Sequence, residues 1–254
     1  MADARPIGVM DSGMGGISVL RSLMERMPGE FFIFWGDSKN APYGPRDEAD
    51  IRRLTWDIVK KLLARNVKAV VIACNTATSA AAADLRAKLD IPVLGLEPAL
   101  KPAARCAGER RIAVLATEAT IKLDKYHMLL ERFGRNTVSI PCPELVEFVE
   151  RGDTDSDALL EALKGRLNPE GEAIAAVVLG CTHYVWLRPA IRKVLPRAAV
   201  FDGNDGLARH LRDILGEGNL LNDSGTGGCE LNTTSDDPAM LLLMNRYLAA
   251  PISE

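Results

Sequence analysis

Residues 69–76 read Ala-Val-Val-Ile-Ala-Cys-Asn-Thr, and residues 176–183 read Ala-Val-Val-Leu-Gly-Cys-Thr-His. In each stretch an apolar run of strand length ends on a cysteine followed by polar residues, which is typical of a buried parallel strand. A second pair precedes them, Ile-Gly-Val-Met-Asp-Ser at residues 7–12 and Ile-Ala-Val-Leu-Ala-Thr at residues 112–117. The members of each pair lie about 106 residues apart, so the sequence predicts two similar units. Chance similarity of apolar strands is the alternative, although it explains the matched cysteines less well.

The rest of the chain alternates short apolar runs with longer stretches of helical period, which predicts an α/β fold with mainly parallel sheets. The predicted strands are Ile7–Met10, Phe31–Trp35, Ala69–Ala73, Val93–Gly95, Ile112–Ala116, Val138–Ile140, Ala175–Leu179 and Val200–Phe201. The predicted helices are Ile17–Met27, Glu48–Asn66, Ser79–Leu89, Leu123–Phe133, Asp155–Leu167, Leu187–Leu195 and Leu207–Leu215. Gly216–Asp237 predicts loop or a short edge strand. A last helix capped by Asp237 follows and is expected to pack on the first unit.

Composition excludes several classes of function for this chain of 254 residues with a net charge of −3. Acids and bases are interspersed without a basic stripe, so we expect no nucleic-acid partner. No run reaches the roughly 20 apolar residues of a membrane span and the N-terminus lacks a signal peptide, which predicts a cytoplasmic protein away from the membrane. The five cysteines are an odd number without metal-ligand spacing, so we expect free thiols and no metal centre.

Polar clusters follow four of the predicted strands. They are Asp11-Ser12-Gly13, Cys74-Asn75-Thr76, Ala116-Thr117 and Cys181-Thr182-His183. Ligands of open parallel sheets bind beyond the carboxyl ends of the strands. If the two units face each other, these clusters surround one cleft, and we expect the active site there.

The segment Asp11-Ser-Gly-Met-Gly-Gly16 is a glycine-rich turn that opens a helix and could cradle an anion with its backbone N–H groups. The rival interpretation is a dinucleotide-binding turn, with Asp37 in the place of the ribose-binding acid. Its third glycine is replaced by Ser18, so a carboxylate ligand fits better.

Cys74 and Cys181 each leave a strand where a helix is expected to begin, and a helix N-terminus favours the thiolate. One thiolate could take a proton from one face of a carbon while the other thiol delivers a proton to the opposite face, as racemisation requires. Asp11 and Glu150 are the expected partners of Cys74 and His183, although a lone histidine near a helix start is more often a capping residue. The other cysteines, Cys106, Cys142 and Cys229, are interpreted as inert buried thiols.

The loop after the second strand contains Pro42-Tyr43-Gly44. This turn predicts an exposed tyrosine hydroxyl and a glycine N–H near the same rim as the cysteines. Taken alone it is an ordinary turn, and its position makes it a candidate binding element.

These motifs together resemble the glutamate racemase family. The resemblance rests on residues 7–13, 42–44, 73–76, 95–98, 117–120, 142–143, 150–152, 180–183 and 233–238, in family order along nearly the whole chain. It implies two α/β domains, residues 1–97 with 208–254 and residues 98–207, with the substrate between them. It also implies interconversion of L- and D-glutamate without metal or pyridoxal phosphate, supplying D-glutamate for peptidoglycan.

Residue by residue, the resemblance makes Cys74 and Cys181 the two acid/base thiols, assisted by Asp11, Glu150 and His183. The expected substrate-binding residues are Asp11, Ser12, Pro42, Tyr43, Gly44, Asn75, Thr76, Thr117, Thr120, Thr182 and His183. Val185-Trp186 departs from the family pattern, and the chain lacks the N-terminal extension of members activated by a cell-wall precursor, so no such activation is expected.

Two other functions and the oligomeric state stay open on the sequence. The same two thiols would serve a racemase of aspartate or another small amino acid, because they do not fix the length of the substrate side chain. A binding or regulatory protein on this scaffold is the non-enzymatic alternative, although a binding site needs neither thiol. The sequence leaves a homodimer open.

Overall fold

The computed structural model describes residues 3–168 and 173–250. Its strands are β1 (Ile7–Asp11), β2 (Phe31–Gly36), β3 (Ala69–Ile72), β4 (Val93–Gly95), β5 (Arg111–Ala116), β6 (Thr137–Pro141), β7 (Ile174–Leu179), β8 (Ala199–Phe201) and β9 (Gly228–Thr233). Its helices are α1 (Ile17–Arg26), α2 (Glu48–Leu63), α3 (Asn75–Lys88), α4 (Leu100–Ala107), α5 (Glu118–Lys122), α6 (Asp124–Phe133), α7 (Glu144–Glu150), α8 (Asp157–Leu167), α9 (Arg188–Val194), α10 (Asn204–Glu217) and α11 (Pro238–Ala249). A 3₁₀ helix spans Thr182–Leu187.

All the predicted strands are present, with ends that differ by no more than one residue, and β9 adds the edge strand expected between Gly216 and Asp237. The prediction for α3 was wrong at its start, because the helix begins at Asn75 rather than Ser79. Cys74 provides the cap there by accepting a hydrogen bond from the backbone N–H of Ala77, a role that cysteine seldom signals in a sequence. The short helices α4, α5 and α7 were not predicted.

The chain divides into two compact units. The first, built from residues 3–96 and 204–250, contains a fully parallel sheet in the order β4-β3-β1-β2-β9. Its central strand β1 is completely buried, as expected for a parallel sheet covered on both faces. Helix α1 packs against α10 and α11, and α2 packs against α3. Asp237 caps α11 as predicted, and this helix contacts α1 and β9, so it packs on the first unit.

The second unit, residues 97–203, has a parallel sheet in the order β6-β5-β7-β8. Its core joins Leu100 of α4 and Tyr126 of α6 to Val114 and Val178 on the sheet. Read from the other edge, the order β8-β7-β5-β6 repeats the order β4-β3-β1-β2 of the first unit. The prediction of two similar α/β units with parallel sheets is therefore confirmed.

Cys74 follows β3 and Cys181 follows β7, so the cysteines occupy equivalent places in the two sheets. Across the described residues, no helix combines the length and the apolar character that crossing a bilayer requires.

Candidate active site

The first unit places Cys74 between β3 and the N-terminus of α3. Its side chain is buried, and the Ser12 hydroxyl donates to Sγ over 3.4 Å. The backbone N–H of Ala77 donates to the same sulfur, also over 3.4 Å. Two donors at a helix N-terminus stabilise negative charge on a thiolate. Ser12 is therefore a direct hydrogen-bond partner of Cys74.

The Asp11–Gly16 turn surrounds the side-chain carboxylate of Asp11. Asp11 is fully buried, and its Oδ2 accepts a hydrogen bond from the backbone N–H of Gly13 over 3.0 Å. A Cβ on Gly16 would lie 2.6 Å from Cβ of Asp11, so only glycine fits beside this carboxylate. The Gly13 N–H predicted to cradle an anion is thus used by Asp11 itself. The partnership of Asp11 with Cys74 stays a prediction.

Asn75 and Thr76 form the first turn of α3 and are both buried. Among the described residues, neither Oδ1 nor Nδ2 of the Asn75 side chain has a hydrogen-bond partner. Buried polar side chains almost always have one, so an unsatisfied amide next to Cys74 marks a place where a polar ligand would bind.

Tyr43 differs from its prediction. Its hydroxyl is not exposed: the ring is buried, and the hydroxyl donates to Oδ2 of Asp37 over 2.7 Å. Burial and then the hydrogen bond to Asp37 raise the pKa of Tyr43, and the charges of Cys74 and Asp11 add to the rise. Tyr43 is therefore close enough to Cys74 and Asp11 for their charges to affect it. Its hydroxyl proton is already used in the hydrogen bond to Asp37.

The second unit places Cys181 beside a paired histidine and glutamate. Cys181 Sγ lies 3.8 Å from Nδ1 of His183, and Nε2 of His183 lies 2.6 Å from Oε1 of Glu150 at the end of α7. Burial alone would lower the pKa of His183, but its hydrogen bonds to Cys181 and Glu150 raise that pKa well above the usual value. A raised pKa favours the protonated form of this imidazole, which lies between the Cys181 sulfur and the Glu150 carboxylate. The predicted pairing of Glu150 with His183 is thus present as a contact, while its catalytic role stays a prediction.

A helix begins directly after Cys181, as expected, but it is a 3₁₀ helix, Thr182–Leu187. The side chain of Cys181 makes no cap hydrogen bond. The α-helix starts at Arg188, where Pro189 occupies the first turn. The side chain that contacts the Cys181 sulfur is His183.

Hydroxyl groups follow β5 and β7 in the second unit. Thr117 caps α5 by accepting from the N–H of Thr120 over 3.2 Å, and its hydroxyl donates to that of Thr120 over 3.0 Å. Thr182 is buried directly after Cys181. These three threonines were predicted to bind substrate, and their binding role stays a prediction.

Tyr184 is a residue of this region that the sequence did not single out. Its hydroxyl donates to the backbone oxygen of Cys142 over 2.6 Å and so ties the end of β6 to the 3₁₀ helix that carries His183. A tyrosine next to a motif carries no signal for such a long-range bond.

All five cysteines are free, as predicted. Burial raises the pKa of the Cys142 thiol to about 12, which fits an inert side chain. Cys106 differs from its prediction, because it lies exposed on α4, and Cys229 is only half-buried. In the described part of the chain, no group of three or more His, Cys, Asp or Glu side chains is arranged to hold a metal ion.

The model of the Asp/Glu/hydantoin racemase family matches residues 7–211, which include β1 to β8 and both cysteine clusters. This chain belongs to that family. A glutamate racemase of Bifidobacterium longum is 46% identical over 262 residues, covering 98% of this chain and 99% of the relative. The family resemblance inferred from the motifs is therefore confirmed.

Solved structures of glutamate racemases have folds similar to that of this chain over nearly its full length. The glutamate racemase of Thermus thermophilus in complex with β-chloro-D-alanine has a TM-score of 0.84 and 36% identity, covering 100% of this chain and 96% of the other. That of Francisella tularensis in complex with D-glutamate has a TM-score of 0.85 and 28% identity, covering 99% and 96%.

Proposed function

We propose that this protein is a glutamate racemase that interconverts L- and D-glutamate with two cysteine thiols and no cofactor. The observation that carries the proposal is the equivalent placement of Cys74 and Cys181 after β3 and β7, each with its own hydrogen-bonding partners. Full-length similarity to relatives named glutamate racemase supports glutamate as the substrate. The role that follows is supply of D-glutamate for peptidoglycan, in a reducing cytoplasm where free thiols persist.

In the proposed reaction, one cysteine thiolate removes the α-proton of glutamate while the other cysteine, as a thiol, protonates the opposite face of the same carbon. The protonation states of the two cysteines are exchanged after each turnover. Catalysis in both directions therefore requires that each thiol can be ionised and reprotonated on its own side. This scheme requires both units to present their clusters to one substrate molecule.

The two thiols are proposed to be tuned by different means. Ser12 and the N-terminus of α3 stabilise the thiolate of Cys74. On the other side, the His183 imidazolium, held by Glu150, stabilises the thiolate of Cys181 and can return a proton to it. Asp11 is proposed to assist Cys74.

The remaining polar groups are proposed to bind the amino and carboxylate groups of the substrate. Asn75 supports this assignment most directly, because its amide is buried without a partner among the described residues. Ser12, Thr76, Thr117, Thr120 and Thr182 offer hydroxyl groups, and Pro42, Tyr43 and Gly44 are also proposed to contact the substrate. The oligomeric state, including a homodimer, does not enter this proposal.

The test measures racemisation of L- and D-glutamate by the purified protein, monitored by circular dichroism. L- and D-aspartate are assayed in the same way as the alternative substrate. The protein is first dialysed against a chelator and hydroxylamine, which remove metal and pyridoxal phosphate. We expect activity on both enantiomers of glutamate and little on aspartate. Absence of activity, activity that needs an added cofactor, or a preference for aspartate would contradict the proposal.

A further inference from the structure

Asp37, directly after β2, is a buried carboxylate that accepts hydrogen bonds from three side chains. Tyr43 donates its hydroxyl over 2.7 Å, Asn40 donates Nδ2 over 3.0 Å, and Thr234 donates its hydroxyl over 2.7 Å. Thr234 lies directly after β9, at the far end of the chain from its partners. One carboxylate thus joins the Asn40–Gly44 loop to the C-terminal segment.

This carboxylate is stabilised by neutral donors alone. In the part of the chain that the structure describes, no lysine, arginine or histidine forms an ion pair with Asp37, and the nearby Lys39 pairs with Asp236 instead. A buried carboxylate without a cation is costly unless its hydrogen-bonding capacity is satisfied. Each of the three donors therefore affects how well the group is held.

Thr234 is well placed to act as the link. Its backbone N–H donates to the oxygen of Gly36, and its hydroxyl oxygen also accepts from the N–H of Lys39 over 3.1 Å. The pairing of β2 with β9 brings Gly36 opposite Thr233 and so fixes the position of the next residue. The hydroxyl of Thr234 therefore has one orientation, in which it donates its hydrogen bond to Asp37.

Asp37 and its three donors are connected to the candidate active site in two ways. The backbone N–H of Asp37 donates to the oxygen of Asp11 over 2.9 Å. The second route runs through Tyr43, which is close enough for the charges of Cys74 and Asp11 to act on it. At its outer end the loop is held separately by Arg46, which donates to the backbone oxygen of Asn40 and pairs with Asp50.

We propose that Asp37 and Thr234 are positioning residues that hold Tyr43, and with it the Asn40–Gly44 loop, in the geometry that binds substrate. This inference rests on the proposed function for its kinetic readout. It assigns a site role to two residues that lie outside the cysteine motifs, one of them from the C-terminal segment.

The first test replaces Thr234 by valine, which keeps its shape and removes the donor. We expect the KM for glutamate to rise roughly tenfold with kcat nearly unchanged, because a hydrogen bond to a charged group is lost from the binding loop. Thr234→Ser restores the hydroxyl and is expected to restore KM. Thr233→Val is the matched control, since among the described residues the Thr233 hydroxyl accepts only from the N–H of Ser235 and has no hydrogen bond to Asp37.

Asp37→Asn provides a second variant of nearly the same size. One oxygen becomes an NH₂ group that faces a donor, so the bond from Thr234 or that from Tyr43 must be lost. KM is expected to rise as in Thr234→Val. Combining Thr234→Val with Tyr43→Phe should raise KM by less than the product of the single effects, because both variants act through Asp37.

A readout independent of activity separates this inference from the proposed function. The chain has four tyrosines, so ¹⁹F NMR of protein labelled with 3-fluorotyrosine gives few signals, and Tyr43→Phe assigns the relevant one. We expect the Tyr43 signal to shift in Thr234→Val and to stay unchanged in Thr233→Val. A wild-type protein that does not racemise glutamate contradicts the proposed function. An unshifted Tyr43 signal, or a wild-type KM in Thr234→Val, overturns the positioning role.

Discussion

The side chains of the candidate site differ in how many of their hydrogen-bonding groups have partners within the protein. Cys74, Tyr43, His183 and Glu150 have hydrogen-bond partners, whereas the Asn75 amide has none among the described residues. A buried amide without hydrogen-bond partners lowers the stability of the folded protein, and a ligand that supplies those partners removes this cost on binding. The Asn75 amide is therefore expected to weaken folding and to strengthen ligand binding.

Replacing Asn75 by alanine separates these two effects. We expect the free energy of unfolding to stay unchanged or to rise by up to about 1 kcal/mol, since a buried unsatisfied amide is removed. The KM for glutamate should rise by about tenfold or more. Urea unfolding and initial-rate kinetics measure the two quantities, and Asn245→Ala on the exposed face of α11 is the control. A clear loss of stability with an unchanged KM would show that the amide serves the fold.

The ion pair of His183 and Glu150 predicts a specific titration. Because the pKa of His183 is raised on folding, its positive charge stabilises the folded state fully below about pH 6.5. This stabilisation is lost as the pH rises through the raised pKa. In ¹³C NMR of histidine-labelled protein, the His183 signal should titrate well above its usual value, and in Glu150→Gln it should titrate at a lower pH. A titration at or below the usual value would contradict the pair.

At the scale of elements, the strands could be predicted because buried parallel strands are short, continuous apolar runs bounded by polar residues. Helices α5 and α7 could not, because five and seven residues hold too little of a helical period to be recognised. The polar clusters at strand ends were predictable from the same pattern. The bonds from Tyr43 and Thr234 to Asp37 were not, because they join segments whose proximity depends on the order of the strands.

Strand β3 has different tasks at its two ends, with Cys74 after it and Lys68 before it. Lys68 forms an ion pair with Glu30 at 2.6 Å, and the two side chains are 0% and 1% exposed. The Lys68 ammonium also donates to the backbone oxygens of Asp3 and Leu220, so it ties three segments together.

Lys68→Met is expected to lower the free energy of unfolding by about 3–5 kcal/mol, because Glu30 is left as an unpaired buried charge. Adding Glu30→Gln should recover part of that loss, since a neutral amide costs less to bury than a carboxylate. Chemical unfolding measures both variants. Because the pair lies at the opposite end of β3 from Cys74, kcat of the folded variants should match the wild type, and a large fall in kcat would contradict this separation of tasks.

At the scale of the whole molecule, the duplication fits the proposed two-thiol chemistry. Each unit has its cysteine after the strand that occupies the same place in the sheet order, so the chain has two equivalent positions for an acid/base group. The proposed reaction needs two such groups, one for each face of the α-carbon. The repeat was visible in the sequence because matched cysteines ended matched strands. The pairing of Glu150 with His183 was also predicted. The hydrogen bond from the Ser12 hydroxyl to Cys74 was not, because it joins residues 62 positions apart that only folding brings together.

The central claim is that Cys74 and Cys181 act on opposite faces of one α-carbon. Its most direct test is conversion of L-glutamate in deuterated solvent, stopped after a small fraction of substrate has reacted and analysed by mass spectrometry of the separated enantiomers. We expect the D-glutamate formed to contain deuterium at Cα while the remaining L-glutamate keeps its proton, with the mirror result from D-glutamate. Cys74→Ser and Cys181→Ser should each abolish conversion, whereas Cys106→Ser should not. Product that retains the substrate's own proton, or full conversion by either of the two serine variants at Cys74 and Cys181, would contradict the account.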